Sequence, residues 1–296
     1  MNRILLLSLL ALGYQSASAQ FIYSTGIRRE ANNAPSGLIN QYAYDGSFIK
    51  SFGYVTSDAG LAAGLDGQVF SINGTRINKY DSAGQLLMTF GSSYGAGPVA
   101  FGGGYVYSIG TVEDRGQTPN GLINQYLLDG TFVKAFGSTT GNAGLAVGPD
   151  GSVYAVDGRS GTTLNRYDSL TGALLMNFGK AYSAGPIAVG ADGKVYSASI
   201  YDWGQPNYMI NEYASDGTFI KTFGSMSSAG GLAVASDGAI YAVGNSEINK
   251  YNSSGVFLFS FGDAYSAGHI AATVPEPSSL SLLALGGVVV ALRRRG

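Results

Sequence analysis

The sequence repeats one unit six times, and this repetition constrains the fold more than any other feature. An Ile/Leu-Asn-x-Tyr tetrad recurs, and each copy leads into a turn and a segment that ends in Phe-Gly. Each repeat of about 40 residues contains four short apolar segments separated by turn residues, which is the pattern of a propeller blade. The sequence therefore predicts an all-β, six-bladed β-propeller. The tetrad asparagines are Asn40, Asn78, Asn124, Asn165, Asn211 and Asn249.

The composition agrees with this prediction and excludes several classes of function. Glycine accounts for 45 of the 296 residues, which favours tight turns over long helices. The chain has no cysteine and one histidine, so disulfides, thiol catalysis and sites with two histidine ligands are excluded. The formal net charge of −2 gives no reason to expect nucleic-acid binding. We expect no catalytic residue, no metal ligand and no cofactor.

The repeats resemble those of the NHL-type propeller family. Gly144–Asp168, with the sequence GLAVGPDGSVYAVDGRSGTTLNRYD, carries the family's succession of a strand, Asp-Gly and Val-Tyr, and Phe-Gly follows. The resemblance extends over about residues 21–273. It implies the propeller fold and little about function, since such propellers include both binding modules and lyases.

The last repeat is incomplete, which predicts how the ring closes. It provides Gly268–Ala272 and then lacks its Val-Tyr strand, whereas Phe21–Gly26 near the N-terminus resembles such a strand. We therefore predict that Phe21–Thr25 pairs with Gly268–Ala272, so that one blade contains both ends of the propeller. This arrangement removes open sheet edges.

The N-terminus, Met1–Ala19, has the three parts of a secretory signal peptide. Arg3 is followed by the apolar run Ile4–Leu12 and by the small residues Ala17-Ser18-Ala19, so Gln20 is the expected start of the exported chain. With the signal peptide at 1–19, the propeller is expected to occupy residues 20–273. The alternative for Met1–Ala19 is a buried N-terminal strand or helix.

The C-terminus carries a second apolar run, Leu280–Leu292, between Pro275-Glu276-Pro277 and Arg293–Arg295. The order of these parts resembles the PEP-CTERM sorting signal, which would occupy residues 274–296. The resemblance implies a short hydrophobic helix, transient anchoring in the inner membrane and recognition by an exosortase, followed by location at the cell surface or outside the cell. The alternative is an ordinary tail anchor.

Alternate repeats also resemble each other, and this second period points to a candidate ligand face. Three repeats have a long loop between their second and third strands, and these loops share one face with the linkers between blades. Aromatic and polar side chains on that face suit a neutral sugar. The candidate ligand-binding residues are Trp203, Tyr208, Arg115, Tyr94, Tyr182, Tyr265 and His269.

The alternative for these residues is structural: the tyrosines pack beneath the linkers and the loop residues are solvated. The six tetrad asparagines are expected to be structural, each bonding to the backbone within its blade. Two functions remain open from the sequence. One is a non-enzymatic binding module for polysaccharide or protein, and the other is a secreted lyase or hydrolase acting on a glycan or peptide.

Overall fold

A computed structural model describes residues 20–27, 37–55, 59–93, 97–110, 121–139, 144–157, 163–181, 185–200, 208–227, 230–265 and 268–273. The expected signal peptide and the Pro275-Glu276-Pro277 segment lie outside these ranges. No helix among the described residues is long and apolar enough to cross a membrane.

The described residues form an all-β propeller, as the repeats predict. The strands are β1 (Phe21–Ile27), β2 (Gly37–Ala43), β3 (Phe48–Val55), β4 (Leu61–Ala63), β5 (Val69–Asn73), β6 (Arg76–Tyr80), β7 (Leu86–Phe90), β8 (Val99–Gly102), β9 (Tyr105–Gly110), β10 (Leu122–Tyr126), β11 (Phe132–Phe136), β12 (Leu145–Val147), β13 (Val153–Asp157), β14 (Thr163–Tyr167), β15 (Leu174–Phe178), β16 (Ile187–Val189), β17 (Val195–Ile200), β18 (Tyr208–Tyr213), β19 (Phe219–Met226), β20 (Leu232–Val234), β21 (Ile240–Val243), β22 (Ile248–Tyr251), β23 (Phe257–Phe261) and β24 (Ile270–Ala272).

These strands build six four-stranded antiparallel sheets. Blade 1 has the order β24-β1-β2-β3, and blades 2 to 6 each use four strands that follow one another along the chain, from β4–β7 to β20–β23. The innermost strands β24, β4, β8, β12, β16 and β20 each contact those of the two neighbouring blades, which completes a ring around the axis. The six-bladed prediction is therefore confirmed.

Blade 1 joins the two ends of the propeller. Strand β1 pairs with β24 in the register Ile22 with Ala272, Tyr23 with Ala271 and Ser24 with Ile270. Beyond the strands, the Thr273 amide donates to the Phe21 carbonyl at 3.0 Å, and the Phe21 amide donates to the Thr273 hydroxyl at 2.8 Å. The predicted pairing is confirmed, and it gives β1 a partner on each side.

The Phe-Gly and tetrad-tyrosine positions recur because they meet at every interface between blades. Each Phe packs edge-on against the tyrosine of the next blade, as Phe178 does against Tyr213 with ring centroids 5.6 Å apart. The glycine after each Phe has a φ of 60–73°, a left-handed conformation that glycine adopts readily. A Cβ on Gly179 would also lie 2.8 Å from the Tyr213 ring. Both conformation and space therefore require glycine.

The tetrad asparagines are structural, but their main partners are side chains rather than the backbone. Asn78 accepts a hydrogen bond from Thr89 on the outer strand at 2.7 Å and donates to Tyr80 at 3.2 Å. The carboxamide thus ties the third strand to the fourth and orients the tyrosine hydroxyl. Five of the six blades have the bond to the outer strand, from Ser51, Thr89, Asn177, Thr222 or Ser260.

Asn124 is the exception. It is fully buried, and neither its Oδ1 nor its Nδ2 has a hydrogen-bond partner. The residue opposite it on the outer strand is Ala135, which has no hydroxyl to donate. Blade 3 therefore contains a buried amide without partners, which costs free energy relative to the other blades.

Candidate functional site

The linkers between blades and the connections between second and third strands lie at the same end of the propeller, because antiparallel strands alternate in direction. We call this end the linker face. Linker hydroxyls fix it to the following blade: Ser93, Thr139 and Ser227 donate to the carbonyls of Ile109, Val156 and Gly244, respectively, at 2.6–3.4 Å. The described part of this face is therefore a framework held by the blades beneath it.

The linker face has the predicted two-blade period. The amides of Gly60, Gly144 and Gly231, which precede the inner strands of blades 2, 4 and 6, donate to the carbonyls of Gly97, Gly185 and Gly268. A Cβ on Gly144 would lie 2.5 Å from the Gly185 oxygen. The inner strands of blades 3, 5 and 1 are instead preceded by Pro98, Pro186 and His269. The backbone of this face thus repeats three times around the axis.

Two of the predicted ligand residues bond to Thr25 through their backbone amides, where the ring closes. The Tyr265 amide donates to the Thr25 carbonyl at 3.1 Å, and the His269 amide donates to the Thr25 hydroxyl at 2.9 Å. Tyr265 is half-buried, and this burial, together with the nearby Tyr54 hydroxyl, raises the pKa of its phenol. Tyr265 is therefore protonated at neutral pH and can donate a hydrogen bond.

Tyr208 lies elsewhere, in blade 5. Its strand β18 pairs it with Ile200 and Met226, and its partly buried ring packs against the apolar cluster that includes Phe223 and Leu232. Part of this side chain is thus core. The other predicted ligand residues, Trp203, Arg115, Tyr94 and Tyr182, lie outside the described residues.

Tyr54 is a candidate that the sequence reasoning missed. It follows the Phe-Gly of blade 1, is 57% exposed, and interacts electrostatically with Tyr265. The position after Phe-Gly holds Ser92, Ser138, Lys180, Ser225 or Asp263 in the other blades. A search for the repeat that departs from its relatives, rather than for the shared residues, would have found it.

The strands around the axis contribute only apolar side chains. Strands β4, β8, β12, β16, β20 and β24 consist of Ala, Val, Leu, Ile, Phe and Gly, with an alanine in second position in every one. They offer a substrate no carboxylate, hydroxyl or amide side chain. Among the described residues, the polar and aromatic groups open to a ligand at this end therefore lie on the linker face.

Among the described residues, the most buried carboxylate belongs to Glu212 of blade 5, at the opposite end of the blade from the linkers. It is nearly inaccessible and pairs with Lys194 at 3.1 Å and Lys221 at 3.3 Å. The hydrogen bond from Lys194 to Glu212 raises the pKa of that lysine. The described residues contain no group of three or more His, Asp and Glu side chains placed to hold a metal ion.

Comparison with known proteins supports the fold and the sorting signal. Residues 273–295 match the model of the PEP-CTERM protein-sorting motif. This motif indicates export, a membrane-anchored sorting step and processing by an exosortase. No curated protein matches the chain.

Solved structures that share the propeller include the following two. TolB from Acinetobacter baumannii is 17% identical, with a TM-score of 0.68 over 87% of this chain and 67% of that one. A protein of unknown function from Bacteroides caccae is 10% identical, with a TM-score of 0.58 over 86% of this chain and 98% of that one. At these identities the likeness establishes the fold alone.

Proposed function

We propose that this chain is an exported, NHL-type propeller that binds a neutral polysaccharide on its linker face and catalyses no reaction. The proposal divides the chain into a signal peptide at 1–19, a propeller at 20–273 and a sorting segment at 274–296. After processing by the exosortase, the propeller would remain at the cell surface or in the extracellular matrix.

The position of Tyr54 and Tyr265 at the linker end of the propeller, one side chain exposed and the other half-buried, is the observation that carries this proposal. Burial, with a smaller contribution from Tyr54, raises the pKa of Tyr265 and keeps its phenol protonated. Such rings cover the C–H faces of a sugar, while protonated phenols and nearby amides bond its hydroxyls. The apolar inner strands favour binding over catalysis, because they bring no acid or base to the axis.

The test is a glycan array probed with the purified propeller, followed by titration of the best ligand. We expect Tyr54→Ala and Trp203→Ala each to weaken binding about tenfold, which corresponds to about 1.4 kcal/mol. Affinity should change little with salt, because the ligand is uncharged.

Phe48→Ala is the matched control, since Phe48 is an aromatic residue 60% exposed on an outer strand. Equal losses from Phe48→Ala and Tyr54→Ala would contradict the assignment of the linker face. Turnover of a bound glycan would favour the alternative, a secreted lyase or hydrolase. A loss of several kcal/mol of stability in Trp203→Ala would place Trp203 in the core.

A further inference from the structure

The chain enters and leaves the propeller at the end opposite the linker face. We call this end the turn end, since it is formed by the turns that join first to second and third to fourth strands. Strand β1 begins there, where Phe21 lies opposite Ala43 at the end of β2. Strand β24 ends there, where Ala272 lies opposite Ile22. The first and last strands of the propeller therefore open onto the same end.

Hydrogen bonds to neighbouring turns fix both of these points. The Tyr44 hydroxyl, in the turn after β2, donates to the Thr273 carbonyl at 2.8 Å. The Gln20 side-chain amide donates to the hydroxyl of Ser236, in the turn after β20, also at 2.8 Å. Blade 1 and its neighbour therefore hold the exit of the chain at the turn end.

The connection from this exit to the apolar part of the sorting motif is short. The motif matches residues 273–295, and its apolar run begins at Leu280. We call residues 274–279 the tether. The seven steps from Thr273 to Leu280 span at most about 25 Å. Because the headgroup layer of a bilayer occupies roughly 5–7 Å of that length, about 20 Å at most separates Thr273 from the lipid surface when Leu280 reaches the hydrocarbon.

The linker face lies too far from Thr273 for the tether to bring it to a bilayer. Thr273 follows the innermost strand of blade 1, and three strand spacings of about 4.8 Å place the outer strand β3 roughly 14 Å away. The linker face is one strand length further, which is about 17 Å for an outer strand of five residues such as β7. A path around the rim therefore exceeds the reach of the tether, whereas the turn end adjoins it directly.

The turn end also carries most of the exposed apolar side chains. Among the described residues, all exposed large apolar side chains except Tyr54 and Phe259 lie in one of two places: a turn between third and fourth strands, or the first two residues of the outer strand that follows. Phe48 and Leu170, for example, are 60% and 79% exposed. Apolar side chains of this kind can lie against the interface of a bilayer.

Aspartates accompany these apolar side chains and limit how the turn end meets lipid. Hydrogen bonds within the turns lower the pKa of several of them, which are therefore ionised at neutral pH, namely Asp45, Asp129 and Asp216. Anionic lipid repels carboxylates, so the apolar side chains alone do not bind this end to an anionic membrane. A tether is needed to keep it there.

We propose that, during the membrane-anchored sorting step, the tether holds the turn end of the propeller toward the bilayer, so that the linker face points away from it. This inference rests on the sorting motif and on the position of Thr273, and it does not depend on the proposed ligand. Its consequence for the ligand is that Tyr54 and Tyr265 are open to a polysaccharide while the chain is still anchored.

The test uses single thiols, because the chain has no cysteine of its own. Thr75→Cys and Ser82→Cys place a thiol at the linker face and at the turn end of blade 2, on either side of β6, and Ser246→Cys and Ser253→Cys do the same on either side of β22 in blade 6. All four side chains are exposed. The two positions of each pair are about 20 Å apart along the blade.

The full-length variants, each with a fluorophore on its thiol, are reconstituted into nanodiscs of phosphatidylcholine and phosphatidylglycerol that carry an energy-transfer acceptor on the lipid headgroups. We expect transfer from Ser82→Cys and Ser253→Cys to exceed that from Thr75→Cys and Ser246→Cys several-fold. Equal transfer within the pairs, or stronger transfer from the linker face, would overturn the proposal. Thermal melting of the labelled variants in detergent checks that each one is folded.

The matched control lengthens the tether in each labelled variant by inserting 40 residues of Gly and Ser between Thr273 and Val274. A flexible linker of that length has an r.m.s. extension of about 35 Å, which is enough to pass around the rim. The difference within each pair should then largely disappear. A difference that the insertion leaves unchanged would also overturn the proposal, because the turn end would be adhering to lipid without the tether.

Discussion

Odd-numbered and even-numbered blades make the same contact with the following blade, but the cation that makes it lies on a different strand. In blades 1, 3 and 5 the outer strand carries a lysine, and in blades 2, 4 and 6 the third strand carries Lys79, Arg166 or Lys250. All six cations donate to a backbone carbonyl in the turn between the third and fourth strands of the following blade, at 2.5–3.4 Å.

The cross-strand neighbours explain how this exchange is possible. Lys134 lies opposite Gln125 in blade 3, whereas Lys79 lies opposite Met88 in blade 2. The position of the charge on the blade therefore moves by one strand while its target stays the same. The comparison teaches that the repeating structural unit is a pair of blades, and that the contact between blades, rather than the residue at one strand position, is what recurs.

The largest difference in stability effect between even-numbered and odd-numbered blades is expected for substitutions just before the inner strands. Gly144→Ala places a Cβ 2.5 Å from the Gly185 carbonyl oxygen. Both atoms belong to constrained backbone, so we expect a loss of about 3 kcal/mol in the free energy of unfolding, at the upper end of the usual cost of overpacking.

The corresponding change in an odd-numbered blade is Pro186→Ala, which removes atoms instead of adding them. It should cost about 1 kcal/mol or less, mainly through greater freedom of the unfolded chain. Urea unfolding of both variants measures the difference. Equal losses would mean that the two-blade period does not extend to the linkers.

A smaller effect is expected at the tetrad asparagines, where blade 3 departs from the rest. Asn78→Ala removes bonds to Thr89 and Tyr80 and should cost about 2 kcal/mol. Asn124→Ala breaks no such bond and should cost less.

The complementary change supplies the missing partner of Asn124. Ala135→Ser places a hydroxyl where four of the other blades have one, from Ser51, Thr89, Thr222 or Ser260, and should stabilise the protein by about 1 kcal/mol. Thermal melting of the three variants tests the set. A loss from Asn124→Ala as large as that from Asn78→Ala would show that the buried amide has a partner after all.

The smallest effect on stability should come from giving odd-numbered blade 3 the cation position of an even-numbered blade. Lys134→Met alone removes the bond to the Leu170 carbonyl and should cost about 1 kcal/mol. Adding Gln125→Lys places an ammonium on the third strand, where Lys79 lies in blade 2. The free energy of unfolding of the double variant should then be within about 0.5 kcal/mol of the wild-type value. Urea unfolding of the single and double variants measures this recovery. If the second substitution deepens the loss, the two cation positions are not interchangeable.

The sequence predicted the six blades and their closure because both depend on local, repeated features. Turn glycines, short apolar strands and the Phe-Gly positions recur in every repeat, and the incomplete last repeat matches the strand near Phe21. The partners of the asparagines were predicted wrongly, because they depend on which residue of the outer strand lies opposite. That register is not visible in the third strand alone.

The candidate ligand site was less predictable than the fold. Shared positions directed attention to Tyr94, Tyr182 and Tyr265, whereas the exposed Tyr54 occurs in one blade only. Trp203 and Arg115 stay predictions, since their loops lie outside the described residues. A repeated sequence reveals its scaffold readily, because the scaffold is what the repeats have in common, and a binding residue needed once is hidden by the same comparison.

The closure of blade 1 also determines when the fold can be completed. Phe21 and Thr273, which bond to each other, are 252 residues apart, so the contact that closes the ring spans nearly the whole propeller. Contacts between such distant residues form slowly, and the chain is made from its N-terminus. Strand β1 therefore has one unpaired edge until β24 has been synthesised and exported. A chain interrupted anywhere before Ile270 lacks β24, the innermost strand of blade 1, and its ring stays unclosed. Closure of the ring therefore requires that the entire propeller has been made.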